Sequence, residues 1–177
     1  MIRKDKVQGE YKNARFELIF CNFFELILLI IFCFYIRFAG QRNLFCWFEV
    51  DGCRGSVEIG STLFEFFKNL RKKFPRMKKV FMFSDSCSGQ NKSRFIVGTL
   101  YWIANLYGFE LVHYFLVPGH SYMPADSDFG KISQLMRKFI EAFELEQYID
   151  SIFKAALPGV VVTKLEREDF KDLEQVK

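Results

Sequence analysis

The stretch Lys79-Val-Phe-Met-Phe-Ser-Asp85-Ser-Cys-Ser-Gly-Gln-Asn-Lys92 decides the reading of this chain. Its first half is a short apolar run bounded by polar residues, the pattern of a buried strand. Its second half is a polar loop. Ser93 to Tyr107 follow with an apolar face at Phe95, Ile96, Leu100, Ile103, Ala104 and Tyr107, as a helix would present, and Gly108 is a natural stop. Glu110-Leu-Val-His-Tyr-Phe-Leu-Val117 is a further strand, ended by Pro118-Gly119.

The same alternation extends outward. Upstream, Leu44-Phe-Cys-Trp-Phe-Glu-Val50 reads as a strand ending at the turn Asp51-Gly52. Ser56 can cap the next element. Val57, Ile59, Leu63, Phe66, Phe67 and Leu70 then recur mostly at helical spacing until Lys72-Lys73-Phe74-Pro75 closes the helix. Downstream of the loop from His120 to Ala125, Asp126 or Ser127 can cap a helix running to about Phe143. Strand–helix–strand–helix–strand–helix order predicts an α/β sheet with helical crossovers.

Residues 16–38 break the pattern: FELIFCNFFELILLIIFCFYIRF is apolar enough and long enough for a membrane-crossing helix, which needs about 20 residues. Each apolar residue favours insertion by roughly 0.3 to 0.6 kcal/mol, whereas a central charge costs about 3 kcal/mol. Glu25 lies near the middle, so the sum is modestly favourable. Three readings are open: a single-pass anchor with residues 1–15 as a basic cytoplasmic arm, a buried helix of a larger core, or read-through of a pyrimidine-rich non-coding stretch. The expected organisation is thus an arm at 1–15, a hydrophobic helix at 16–38, an α/β domain at 43–145 and a charged tail at 146–177.

Composition narrows the function classes. Half of the 177 residues are hydrophobic, which excludes global disorder, and 23 are phenylalanine. The net charge of +4 permits contact with phosphates without demanding it. Five cysteines without a C-x-x-C pair, beside two histidines, do not make a zinc site of the usual spacing and read as thiols of a reducing compartment.

In open α/β sheets, functional groups gather where strands end and helices begin. That edge holds Glu49 and Asp51, then Asp85 with Gln90, Asn91 and Lys92, then His120 with Asp126 and Asp128. Carboxylates on neighbouring strand ends can converge on Mg2+, which prefers hard oxygen ligands, and two such ions can clamp both oxygens of a phosphodiester cleavage. The alternative stays open, because aspartates at these turns also serve as caps and loop formers, and a lone histidine is commonly structural.

Three blocks carry a family resemblance: Arg54-Gly-Ser-Val-Glu-Ile-Gly-Ser61, Phe83-Ser-Asp85 through Lys92, and Pro118-Gly-His120 through Asp128-Phe-Gly130. Over roughly Cys46 to Phe143 they resemble an uncharacterised family of animal transposon-derived proteins, domain-of-unknown-function family 7869. That resemblance implies a ribonuclease-H-like, transposase-type core, with Asp85 and Asp126 or Asp128 as later members of an acidic metal set. The family's upstream Asp-Leu-Gln strand has no counterpart, so the resemblance implies an N-terminally truncated core.

These observations give two main expectations. One is a nucleic-acid-processing domain, magnesium-dependent and incomplete. Asp85, Asp126, Asp128 and His120 would form its catalytic set, and Gln90, Asn91, Lys92 and Arg94 would contact nucleic acid. The other is a membrane-anchored, non-enzymatic binding protein held through residues 16–38; without insertion, the chain would be nuclear or cytoplasmic. A decayed fragment without selected activity is a third.

Overall fold

Apolar residues at consecutive positions become strands here because the central part of the sheet is covered on both faces. The computed structural model describes residues 16–20, 24–26, 29–36, 40–84, 92–117, 124–136, 149 and 153–171. Seven described strands form one sheet: β1 (Phe16–Phe20), β2 (Phe24–Leu26), β3 (Leu29–Ile36), β4 (Gln41–Phe48), β5 (Lys79–Ser84), β6 (Glu110–Phe115) and β7 (Val161–Lys164). The order is β6-β5-β1-β3-β4-β7, with β2 paired to β3. Strands β1, β3 and β4 run antiparallel to their neighbours in this group, whereas β1 with β5, β5 with β6 and β4 with β7 are parallel.

The helices are α1 (Ser56–Lys73), α2 (Arg94–Tyr107) and α3 (Pro124–Met136). Helix α1 starts at Gly55, and the cap is the Glu58 carboxylate, which accepts the amides of Gly55 at 3.1 Å and Cys53 at 2.9 Å. Ser56, the expected cap, is the first helical residue instead. Helix α2 follows its sequence reading in ending at Gly108, left-handed at φ 64°; its cap is Ser93, read from sequence as part of the helix, whose hydroxyl accepts the Ile96 amide at 3.2 Å.

Two cores hold the layers together. On one face, Ile59, Leu63, Phe66, Phe67 and Leu70 of α1 and Ile96, Leu100 and Ile103 of α2 pack on Phe34, Phe45, Trp47, Val80 and Met82. On the other, Ala125, Phe129 and Ile132 of α3 join Ile149, Phe153, Leu157 and Val160 against Cys33, Leu44 and Cys46. Leu44 and Cys46 therefore face one layer while Phe45 and Trp47 face the other, which is why the run Leu44 to Trp47 is apolar without alternation.

The same physics corrects the reading of residues 16–38. The expected hydrophobic helix is absent: the block supplies β1, β2 and β3. Among the described residues no helix is long and apolar enough to cross a membrane. Hydropathy registers apolar content, and a strand buried on two faces has as much of it as a helix in lipid. The block also places strands ahead of Trp47, where the sequence reading saw none; β1 pairs with β3 on one side and β5 on the other.

Residues read from sequence as a charged tail add β7 to the sheet and then fold back over Trp47. Phe170 meets the Trp47 ring edge-on at 5.4 Å, and Gly52 makes this approach possible, since a β-carbon there would lie 2.6 Å from the Phe170 ring. Arg167 donates to the Val50 carbonyl at 2.6 Å and fixes the segment.

Phe66 stacks on Phe34 at 4.0 Å and packs edge-on against Phe67 at 5.4 Å, so it ties α1 to the strand formed from the hydrophobic block. Phe66→Ala is expected to lower the unfolding free energy by about 3 to 5 kcal/mol in urea titrations. A loss below about 1 kcal/mol would mean that β3 is not packed beneath α1.

Candidate functional site

Strands β5 and β6 end together, and the groups at that end come from three elements. Ser84 closes β5, His113 lies on β6, and Lys92 and Arg94 bracket the start of α2. In the parallel register Met82 pairs with His113 and Ser84 with Phe115, so all four share the α1–α2 side of the sheet. Ser84 Oγ and His113 Nε2 are 2.8 Å apart, the His113 and Phe115 rings lie 4.1 Å apart, and the Lys92 ammonium sits 5.1 Å over the Phe115 ring. Ser84 is fully buried.

Burial pushes the His113 imidazole down to about 4, so it is neutral at physiological pH. A neutral ring and a hydroxyl can satisfy each other in a part-buried place where an imidazolium would be unsolvated. The first turn of α2 carries no acidic residue, and Lys92 and Arg94 are both exposed. The helix N-terminus and these two cations make this edge attractive to an anion.

The acidic residues separate. Asp128 is buried on α3, where Oδ2 receives Arg42 Nε at 2.5 Å and Oδ1 faces Lys131 at 3.7 Å. Asp126 is exposed in the first turn of α3. Glu49, exposed beyond β4, is 3.7 Å from Arg54. Asp85, Gln90, Asn91 and His120 lie outside the described residues. Among the described residues no three His, Cys, Asp or Glu side chains gather as a metal site would require. The donor set visible there does not fit a magnesium centre, because a cation at Asp128 would have to displace Arg42.

Cys33 lies buried near the Arg42–Asp128 pair. Burial, then the adjacent Asp128 charge, pushes the thiol up, so it stays protonated and unreactive. Sequence reasoning passed over Arg42, Ser84 and His113. The signal for the last two was parity: once β5 and β6 are taken as parallel neighbours, a serine and a histidine at matching strand ends fall on one face. For Arg42 the signal was a charge beside the apolar run of the same strand.

The family model described as Domain of unknown function (DUF8701) matches residues 55–156. The chain belongs to that family. No curated protein matches the chain. The match runs from the cap of α1 past α3, so the DUF8701 region contains β5, β6 and the whole anion-attracting edge. It corrects the resemblance to domain-of-unknown-function family 7869: the matched family is a different one, and its description assigns neither a transposon origin nor an activity. The roles that rested on that resemblance lose their support, and the short blocks that carried it fall, from Gly55 on, in the DUF8701 region.

Removing one partner of the Arg42–Asp128 pair strands the other. Arg42→Met is expected to cost about 3 kcal/mol in chemical unfolding, and the double variant with Asp128→Leu to recover most of it. An unaffected Arg42→Met protein would show the pair to be dispensable.

His113 gives a pH test. Its folded pKa lies below the unfolded value, so the unfolded chain binds more protons between about pH 4 and 6.5. The resulting stability is present above pH 6.5 and lost as pH falls through that window. His113→Gln is expected to flatten the denaturation midpoint against pH there, removing on the order of 2 kcal/mol of dependence. Identical pH profiles for the two proteins would sink the assignment.

Proposed function

We propose that the domain binds polynucleotide through its phosphates, on a scaffold of phosphodiester-processing ancestry in which cleavage has been lost. The observation that carries the binding reading is the edge where β5 and β6 end: Lys92 and Arg94 flank a capped helix start with no acidic residue in its first turn. Ligands of open α/β sheets are held at such edges, and contacts of this kind position a backbone without reading sequence. The net charge of +4 adds a weak long-range attraction.

Support for the ancestry comes from the strand order. A centre strand followed by two antiparallel neighbours, then two parallel strands reached through helices, is the layout expected of a ribonuclease-H-like sheet. Fold alone carries no activity. Asp128, one of the three expected ligands, is committed to Arg42, which favours binding without a working metal pair.

Fluorescence anisotropy with a labelled oligonucleotide tests this. Affinity is expected to fall as salt rises from about 50 to 200 mM, and Lys92→Ala with Arg94→Ala to weaken binding and flatten the log–log salt slope by roughly two. With magnesium added, the oligonucleotide is expected to stay intact. Absence of salt-sensitive binding would remove the proposal. Magnesium-dependent cleavage abolished by Asp128→Asn would restore Asp128 as a ligand and overturn the loss of catalysis.

A further inference from the structure

Helix α2 turns a solvent face outward that lacks the charges such a face ordinarily carries. Arg94, Val97, Gly98, Tyr101 and Asn105 recur at spacings of three and four, so they stand one above another along the helix. All five are exposed, Tyr101 to 73% and Val97 to 51%. Solvated helix faces are usually polar and laced with charges of both signs. This one has one charge, the positive Arg94 at its N-terminal end, and no Asp or Glu occurs anywhere from Arg94 to Tyr107.

The Tyr101 ring takes no part in holding the helix down. Trp102 and Tyr107 meet Phe64 of α1 at 5.3 and 6.3 Å, whereas Tyr101 lies outside that seam and joins no ring pair among the described residues. Its backbone carbonyl accepts the Asn105 side-chain amide at 2.8 Å, a bond that leaves the ring uncovered. Side chains of a helix lean toward its N-terminus, so the ring extends over the turn of Val97 and Gly98 toward Arg94. A β-carbon added at Gly98 would meet nothing within 4 Å, so the space above that turn is open. Arg94 and Tyr101 stand about two turns apart, roughly 10 Å along the axis.

We propose that this face of α2 continues the phosphate-binding edge as a platform for single-stranded polynucleotide, a base stacking on Tyr101 above Gly98 while Lys92 and Arg94 hold phosphates. The inference rests on the phosphate-binding reading and adds the strandedness of the ligand. Charge and size choose this occupant over a second protein. The helix offers cations without a single acid, which suits a polyanion. Its apolar part is one ring and one valine, the scale of a base, whereas a stable protein interface buries about 800 Å2 on each partner. Stacking on an aromatic side chain suits any sequence, because every base has a π-face. Bases inside a duplex are already stacked on one another and cannot reach the ring.

Fluorescence anisotropy on the full chain tests this with three labelled probes of equal length: a mixed-sequence single strand, a strand of abasic sugar-phosphate units, and a duplex. The single strand is expected to bind about tenfold tighter than the abasic strand, which carries the same phosphates. Tyr101→Ala is expected to erase that difference and Tyr101→Phe to keep it, because stacking needs the ring and not the hydroxyl. Duplex affinity and the salt slope are expected to stay as they are in both variants, since Lys92 and Arg94 set them. The exposure of Tyr101 lets both variants keep the fold. Salt-sensitive binding that is equal for the single-stranded and abasic probes, or that Tyr101→Ala leaves unchanged, overturns the base platform while the phosphate reading stands. Absence of salt-sensitive binding for every probe removes both. Self-association in sedimentation that Tyr101→Ala abolishes would assign the face to a second copy and overturn the platform as well.

Discussion

The pairing of β3 with β4, buried on both faces, is the constraint on which the rest of the structure depends. Their antiparallel register runs unbroken from Leu29 with Phe48 to Ile36 with Gln41. Cys33, Leu44 and Cys46 look to one layer, and Phe34, Ile36, Phe45 and Trp47 to the other. The described helices then have fixed places: α1 and α2 must cover the aromatic side, and α3 with Phe153, Leu157 and Val160 must cover the cysteine side. A single-residue slip would exchange the two sets, so register and layer order are specified together.

Functional groups take their character from the layer they meet. Arg42 leaves β4 on the α3 side and pairs with Asp128, while burial, then the Asp128 charge, keeps the Cys33 thiol protonated. Asn43, one residue on, faces the α1 side and joins the Lys73–Gln41 chain. Neighbouring strand residues thus serve a charge pair on one face and a side-chain hydrogen-bond chain on the other. Parity alone decides which.

The DUF8701 match begins at the residue that caps α1 and includes both parallel strands after it, while β1, β2, β3 and β4 precede it. The matched region alone lacks those sheet neighbours: β5 rests against β1, and Phe66 and Phe67 of α1 share a core with Phe34, Phe45 and Trp47. The apolar block at residues 16–38 is therefore the partner on which the family region packs.

Local chemistry made several elements legible in sequence. Helix α2 could be read because its apolar face recurs at helical spacing and Gly108 ends it, and β5 and β6 because short apolar runs with polar ends have few other uses. Helix against strand at residues 16–38 was a different matter. Apolar content fixes that a segment leaves water, but its partner fixes whether it does so as a helix in lipid or as strands between two helical layers. The surroundings of the acidic residues were illegible for a related reason: Asp126 and Asp128 stand two positions apart in sequence, yet one is exposed and the other is held by a residue 86 positions away. Sequence by itself determined the alternation of strands and helices from β4 to α3, because that depends on neighbours along the chain, whereas the caps expected at Ser56 and at Asp126 or Ser127 fall inside their helices. Only the tertiary structure decided which charges are neutralised and where the hydrophobic block goes, because each depends on what stands across the sheet.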